Sequence, residues 1–456
     1  MSKSKISFYG GVGTVTGSNF LFEVDGAGKI LVDCGMFQGS PQAYAKNLEP
    51  FGYDPKTVDV LLVTHAHIDH IGRIPKLVKD GFEGKIYSTS QTKDIAALMF
   101  DDALKIMEEE AHRSGTNQKM YDRSHVSKAL SLWQTKKYHE HFEPLANVKT
   151  EFFDAGHILG SAMVKLSRSG RTIIFSGDTG NSPSPIIADC ESVTGANYLV
   201  LDSTYGDRRH ESREEAEAKF ISIVSECIKE KRTLLIPVFS LERAHIILYA
   251  LNNLIEGGHI SEVPVYLDSP LASRLLPIYA VSHELFNEKA QEQIRKGDDI
   301  FSFPKLKIVQ SSFESGVIER SADPKIIIAG SGMSVGGRIP AHEINLLPSS
   351  KTTLLITGYQ SVGTVGRALE EGAKRIYIHN QPVEVRAKVR GIEGFSAHKD
   401  SEALLSLVET AKDTLEHVFV VHGEPKASLF LIQRITDYLG LKALAPEKQK
   451  IYEINF

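Results

Sequence analysis

The chain has 456 residues, 42% hydrophobic and 24% charged, which is too long for one ordinary core and comfortable for two domains. No apolar run approaches the ~20 residues needed to span a bilayer, the polar stretch 1–5 shows no secretory leader, and the odd, scattered Cys34, Cys190 and Cys227 speak against a disulfide framework and for a reducing cytoplasm. A formal net charge of −5 speaks against a nucleic-acid partner held by overall charge, so an anionic polymer would need a locally positive cleft.

Short β-rich segments at residues 5–9, 19–24, 29–32 and 58–64 follow one another through Gly-bearing turns. Residues 94–143 read as helical; Ile95, Leu98, Met99, Ala103, Ile106 and Met107 keep close to a 3.6-residue period. Strands are expected again at 149–154, 162–166, 171–176 and 198–202. From about Ser212, long helical stretches alternate with isolated apolar strands at 233–239, 263–267, 325–329 and 353–357, the texture of a mostly parallel sheet with crossover helices. Strands at 383–389 and 417–421 and a helix near 426–439 complete the chain. The simplest division is a strand-rich domain at 1–207 and 383–456, interrupted by an α/β insertion at 208–382. There is no internal repeat.

The chemistry concentrates at strand ends. His65-Ala66-His67-Ile68-Asp69-His70 follows the apolar run 58–64 and places four potential metal ligands within six residues. His157 lies between Gly156 and Gly160, and Asp178 sits in Ser176-Gly177-Asp178-Thr179-Gly180. Singly, a strand-end histidine or aspartate is as well read as a structural cap; beside the cluster both become ligand candidates. Asp33, Asp202, His398 and His422 also stand at or just after β-rich segments, where a polar cap is the bland alternative.

In series, Asp33, His65-Ala66-His67-Ile68-Asp69-His70, His157 and Asp178 resemble the four ordered motifs of the metallo-β-lactamase superfamily. Asp202, His398 and His422 match the three further motifs of its β-CASP branch. The resemblance covers nearly the whole chain and implies an αββα sandwich with an inserted α/β β-CASP domain. It implies two zinc ions, with manganese or iron as substitutes: one held by His65, His67, His157 and Asp178, the other by Asp69, His70, Asp178 and His422. It also implies phosphodiester hydrolysis by metal-activated hydroxide. Asp69 is thus both a ligand and part of the catalytic set; His398 would donate a proton to the leaving oxygen or hydrogen-bond a non-bridging one, and Asp33 and Asp202 would orient imidazoles. Histidine at the third β-CASP position is similar to the members acting on RNA, whereas DNA-processing relatives typically carry valine. Single-stranded RNA is therefore the expected partner, with DNA disfavoured, no membrane, and a homodimer left open. The chain is similar to the short bacterial type related to the endonuclease of mRNA 3′-end processing, with 5′–3′ exonuclease action also open.

Two Gly-rich stretches, 330–338 and 358–367, follow expected strands and lack the G-x-G-x-x-G spacing of a dinucleotide site. Ser331, Gly332, Arg338, Gly363 and Arg367 are the candidate phosphate contacts there; ordinary turns are the alternative. A small-molecule thioester or lactam hydrolase would place its last histidine soon after the bridging aspartate, but His422 stands 244 positions after Asp178. A non-catalytic RNA-binding subunit would have lost ligands, and none is missing.

Overall fold

A computed structural model describes residues 3–39, 41–114 and 119–456. The expectations that touch residues 1–2 and 115–118 lie outside the described residues. The chain divides into two compact units, Met1–Arg209 with His398–Phe456, and His210–Ala397.

The first unit is built on two seven-stranded sheets. One runs Ile451–Asn455, Lys3–Gly10, Asn19–Val24, Gly28–Val32, Val60–Leu62, Lys85–Ser88, Trp133–Thr135. The other runs Ala443–Leu444, His417–Val421, Tyr198–Asp202, Arg171–Phe175, Ala162–Arg168, Val148–Asp154, Phe142–Leu145. Period-two alternation decides which side chains meet between them. Phe8, Phe20, Phe22, Val32 and Leu62 of the first sheet share one buried cluster with Phe152, Val164, Phe175, Val200 and Phe419 of the second. The opposite-facing Leu199, Leu201, Val418 and Val420 pack with Leu404 and Val408 of helix Ser401–Glu409 and with Leu431 and Ile435 of helix Pro425–Leu439. On the first sheet's far side, helix Arg123–Leu132 contacts strand Lys85–Ser88 and helix Ile74–Lys79. The layers are therefore αββα.

The helical expectation over residues 94–143 holds for Ser90–Ser114 and Arg123–Leu132, but Trp133–Thr135 and Phe142–Leu145 are edge strands. Large aromatics override the helical reading. Trp133 is buried and donates its Nε1–H to Ser88 Oγ (2.8 Å), while the Phe142 ring lies 5.0 Å from that of Tyr87.

The second unit holds a six-stranded, all-parallel sheet ordered Leu306–Ile308, Val265–Asp268, Lys325–Ala329, Thr233–Pro237, Thr352–Ile356, Lys388–Gly391. Its four inner strands are buried along their whole length and mostly apolar, as cover on both faces requires, whereas the edge strands Leu306–Ile308 and Lys388–Gly391 are partly exposed. The single strand expected at 383–389 is two pieces. Gln381–Glu384 pairs with Arg375–Ile378 in a ribbon, and Lys388–Gly391 closes the parallel sheet. Val383 and Val385 are buried with Ile376, Ile378 and Leu354, which holds this stretch to the second unit. No described helix is long and apolar enough to cross a membrane.

Candidate metal centre

In the first unit, most of the candidate residues sit at, or just after, the carboxyl ends of strands, on the rim where ligand sites of open α/β sheets collect. Asp33 follows Gly28–Val32, His65 follows Val60–Leu62, and Asp178 follows Arg171–Phe175; His157 follows Val148–Asp154, Asp202 ends Tyr198–Asp202, and His422 follows His417–Val421. Two of these junctions, Asp33 (φ 60°) and His422 (φ 51°), take up the left-handed region, unusual away from glycine. Such outliers gather at sites that the surrounding structure over-determines.

Close backbone approach fixes the loops. Cys34 N–H donates to His70 O (2.8 Å) and Ser18 N–H to Asp69 O (2.9 Å). A Cβ on Gly35 would stand 1.5 Å from Asp69 O, and one on Gly180 would stand 1.7 Å from Gly156 O. Gly180 N–H also donates to Ala155 O (2.7 Å), binding the Asp178 loop to the His157 loop.

The side chains then converge in two groups. His65, His67, His157 and Asp178 offer ligand atoms that all lie within 4.8 Å of one another, and so do Asp69, His70 and His422. Asp178 stands between the groups. Its Oδ2 is 3.5 Å from His65 Nε2 and 3.6 Å from His157 Nε2, and its Oδ1 is 3.4 Å from His70 Nε2 and 3.2 Å from His422 Nδ1. Asp69 Oδ2 lies 3.4 Å from His422 Nε2. A third group joins Asp178, Asp202 and His398, with His398 Nδ1 at 3.9 Å from Asp202 Oδ2 and 4.0 Å from Asp178 Oδ2.

The electrostatics suit cations. Burial drives the His65 and His67 imidazoles well down, His67 to about 4, so both are neutral with a lone pair to give. Burial opposes charge on His70 too, but the Asp178 and Asp33 carboxylates outweigh it and hold this imidazole up. Burial likewise resists ionisation of Asp178, and the His422 and His70 rings overcome it, keeping the carboxyl ionised. Asp202, by contrast, is pushed up chiefly by burial. Among the described residues, neither His70 Nε2 nor Asp178 Oδ1 has a hydrogen-bond partner, although both are buried. Such orphaned atoms in an imidazole and carboxylate cluster fit a metal pair.

Three family models match in chain order: "Metallo-beta-lactamase superfamily" over residues 12–116, "Beta-Casp domain" over 244–369, and "Zn-dependent metallo-hydrolase RNA specificity domain" over 382–446. Ribonuclease TTHA0252 of Thermus thermophilus is 35% identical, the match covering 93% of this chain and 94% of that protein. The chain belongs to the β-CASP family of the metallo-β-lactamase superfamily.

Other relatives of this β-CASP chain include an RNase J-like protein of Methanocaldococcus jannaschii, 33% identical over 94% of both chains. Transcription termination factor FttA of Thermococcus kodakarensis is 31% identical, covering 97% of this chain and 70% of its own. A solved structure of a protein of unknown function from Enterococcus faecalis V583 is 12% identical with a TM-score of 0.55, covering 99% of this chain and 100% of that one, and it is alike in fold.

The remaining candidates of the β-CASP chain belong to the second unit. Their two Gly-rich loops are tied together, Gln360 Nε2 donating to Gly332 O (2.9 Å) and Gly366 N–H to Met333 O (3.1 Å). Ser331 Oγ donates to Val335 O (2.5 Å), and Gly332 leaves room for the Phe239 ring, 2.5 Å from where a Cβ would be. Gly363 has φ 86° and open space where a Cβ would go. Arg338 turns inward, donating to Asp268 Oδ1 (3.0 Å) and Ser311 O (2.7 Å). Arg367 pairs with Glu371 one helical turn on (2.6 Å).

Sequence reasoning passed over Thr64 and Thr179. Thr64 Oγ1 donates to Asp33 Oδ2 (2.8 Å), and Thr179 Oγ1 donates to Asp202 Oδ1 (2.8 Å). Each is a hydroxyl directly beside a candidate ligand in sequence, which is the one local signal that marks them.

Proposed function

We propose that this chain is a metal-dependent ribonuclease that hydrolyses phosphodiester bonds of single-stranded RNA, internally and, where a free 5′ end is offered, from that end. The observation that carries this reading is the place of Asp178 between two sets of candidate ligands, Oδ2 beside His65 and His157 and Oδ1 beside His70 and His422, in a chain that also matches an RNA-specificity domain. The names of relatives such as Ribonuclease TTHA0252 support it.

Two zinc ions fit the donor set, one with His65, His67, His157 and Asp178, the other with Asp69, His70, Asp178 and His422; manganese or iron is compatible with the same nitrogen and oxygen donors. When bound, such ions make water acidic enough to be nucleophilic near neutral pH and neutralise phosphate charge. The chain's own groups do the rest. Asp33 fixes the His70 ring through Nδ1 (2.7 Å). His398, partly exposed and facing Asp202, donates a proton to the departing ribose oxygen, while Asp202 holds its ring in place. Ser331, Gly332, Gly363 and Arg367 are the residues we assign to substrate phosphates; Arg338, turned onto Asp268, is not among them. A cytoplasmic setting belongs to the same proposal, and the free thiols of Cys34, Cys190 and Cys227 favour it.

The test is incubation with end-labelled RNA and single-stranded DNA, with and without chelator. RNA should be cut, DNA spared, and chelator should stop cutting. Cleavage indifferent to chelator, or preferring DNA, would overturn the reading; hydrolysis of a thioester or lactam with RNA untouched would put a small-molecule enzyme in its place.

A further inference from the structure

Thr64 is buried at the end of strand Val60–Leu62, directly before the first histidine of the cluster, and every polar atom it has is committed. Its N–H donates to Asp33 Oδ1 (2.8 Å), and its carbonyl accepts from Ala162 N–H (2.7 Å). Its hydroxyl lies 2.8 Å from Asp33 Oδ2, 3.0 Å from His65 Nδ1 and 3.4 Å from His70 Nδ1.

Counting protons settles who donates. An ionised carboxylate only accepts. Asp33 Oδ2 therefore takes the Thr64 hydroxyl proton and, at 2.7 Å, the proton on His70 Nδ1. A hydroxyl has one proton to give, so toward His65 the Thr64 oxygen can only accept, and His65 Nδ1 must carry a hydrogen. Both rings are thereby left with Nε2 as the coordinating nitrogen, and both Nε2 atoms face Asp178, His65 at 3.5 Å and His70 at 3.4 Å. His65 belongs to one ligand group and His70 to the other.

We infer that Thr64 is the positioning residue that sets the tautomer of His65, while the Asp33 carboxylate to which it also donates sets that of His70, so that a ring on each side of Asp178 presents its Nε2. This rests on the metal-centre reading above and not on the choice of RNA as substrate. Without the hydroxyl, His65 Nδ1–H is buried with no acceptor, and the ring is better served by the tautomer that turns a proton toward Asp178. That form cannot bind metal through Nε2. Asp33 alone would still hold His70.

The experiment reads metal and not turnover. Metal-free parent, Thr64→Val and Thr64→Ser chains are titrated with cobalt(II) against a coloured chelator, and the absorption spectrum of the loaded forms is recorded. Loss of an outer partner of this kind costs about 10–100-fold in metal affinity. Thr64→Val should show that loss with an altered cobalt spectrum, and Thr64→Ser should restore both. Thr64→Val binding as tightly as the parent, or Thr64→Ser binding as poorly as Thr64→Val, would overturn the inference. Thermal melts of the metal-free chains check folding. If Thr64→Val does not fold, Thr64→Cys, whose thiol is a poor acceptor, is compared with Thr64→Ser by the same criteria. Failure of RNA cleavage in the parent would leave these outcomes untouched.

Discussion

Asp202 Oδ2 and His398 Nδ1 face each other at 3.9 Å, and the carboxylate is held from behind by Thr179 Oγ1 on its other oxygen (2.8 Å). A short backbone bridge between Gly180 and His398 brings the two segments together, and Lys399 N–H donates to Thr179 O (2.9 Å). His398 is thus placed by its neighbours at the edge of the ligand cluster.

His398→Ala should leave both ligand groups loaded and slow cleavage by about 10²–10⁴-fold, the usual worth of a positioned general acid. Metal content by elemental analysis and single-turnover cleavage of a labelled RNA check this together. Unchanged turnover would remove the assigned proton donor, and loss of metal would make His398 a ligand.

Gly180→Ala should disturb the metal centre through backbone alone. The new methyl would fall 1.7 Å from Gly156 O, next to His157. Overpacking of this kind costs about 1–3 kcal/mol. The expected result is a lower melting temperature of the metal-free protein together with reduced metal content. A variant as stable and as metal-rich as the parent would mean that the two loops can part freely.

Arg338 and Arg367 should separate in a stability measurement. Asp268 is fully buried, takes a hydrogen bond from Ser315 Oγ (2.5 Å), faces His342 Nε2 (2.8 Å) and pairs with Arg338 (3.0 Å). Removing one partner of a buried pair strands the other charge, so Arg338→Ala should cost about 3 kcal/mol in chemical denaturation. Arg367→Ala breaks a half-exposed i,i+4 pair worth about 0.3–0.5 kcal/mol and should leave stability nearly unchanged. Its readout is weaker RNA binding with a shallower salt dependence. Equal, negligible losses of stability at both positions would contradict the inward role of Arg338.

A fourth expectation concerns pH. Glu343 is fully buried, accepts from Ser334 Oγ (2.5 Å), and is pushed by burial from 4.5 up to about 7, the Ser334 bond pulling the other way. Between those two values the folded chain keeps a proton that the unfolded chain has released. Its contribution to stability is therefore complete below about pH 4.5 and is lost as pH rises through about 7, a swing of about 3 kcal/mol. Glu343→Gln, which cannot ionise, should flatten the fall in melting temperature between pH 5 and 8. A curve parallel to the parent's over that range would exclude Glu343 as its source.

What could be read from the chain alone follows physical lines. His65, His67, Asp69 and His70 were legible because a strand end delivers them within six residues. His157, Asp178 and His422 were legible only as a set, since each is an ordinary strand cap in isolation. The two edge strands Trp133–Thr135 and Phe142–Leu145 were hidden by the helical period of what precedes them, and only long-range packing against Ser88 and Tyr87 makes them strands. Arg338 read as a free cation in a Gly-rich loop because its counter-charge, Asp268, stands 70 positions earlier. Proton sharing at Thr64 depends on distances of a few tenths of an ångström between three side chains, information no spacing rule contains.

His422 reaches the cluster only because strand His417–Val421 lines up in parallel with Tyr198–Asp202. Any polypeptide cut short before that strand, by a premature stop codon or by a protease, would retain the six earlier donors and lack the seventh. On the proposed function, a truncated copy would be disarmed by its own incompleteness, the donor set being whole only once the last of these strands is made.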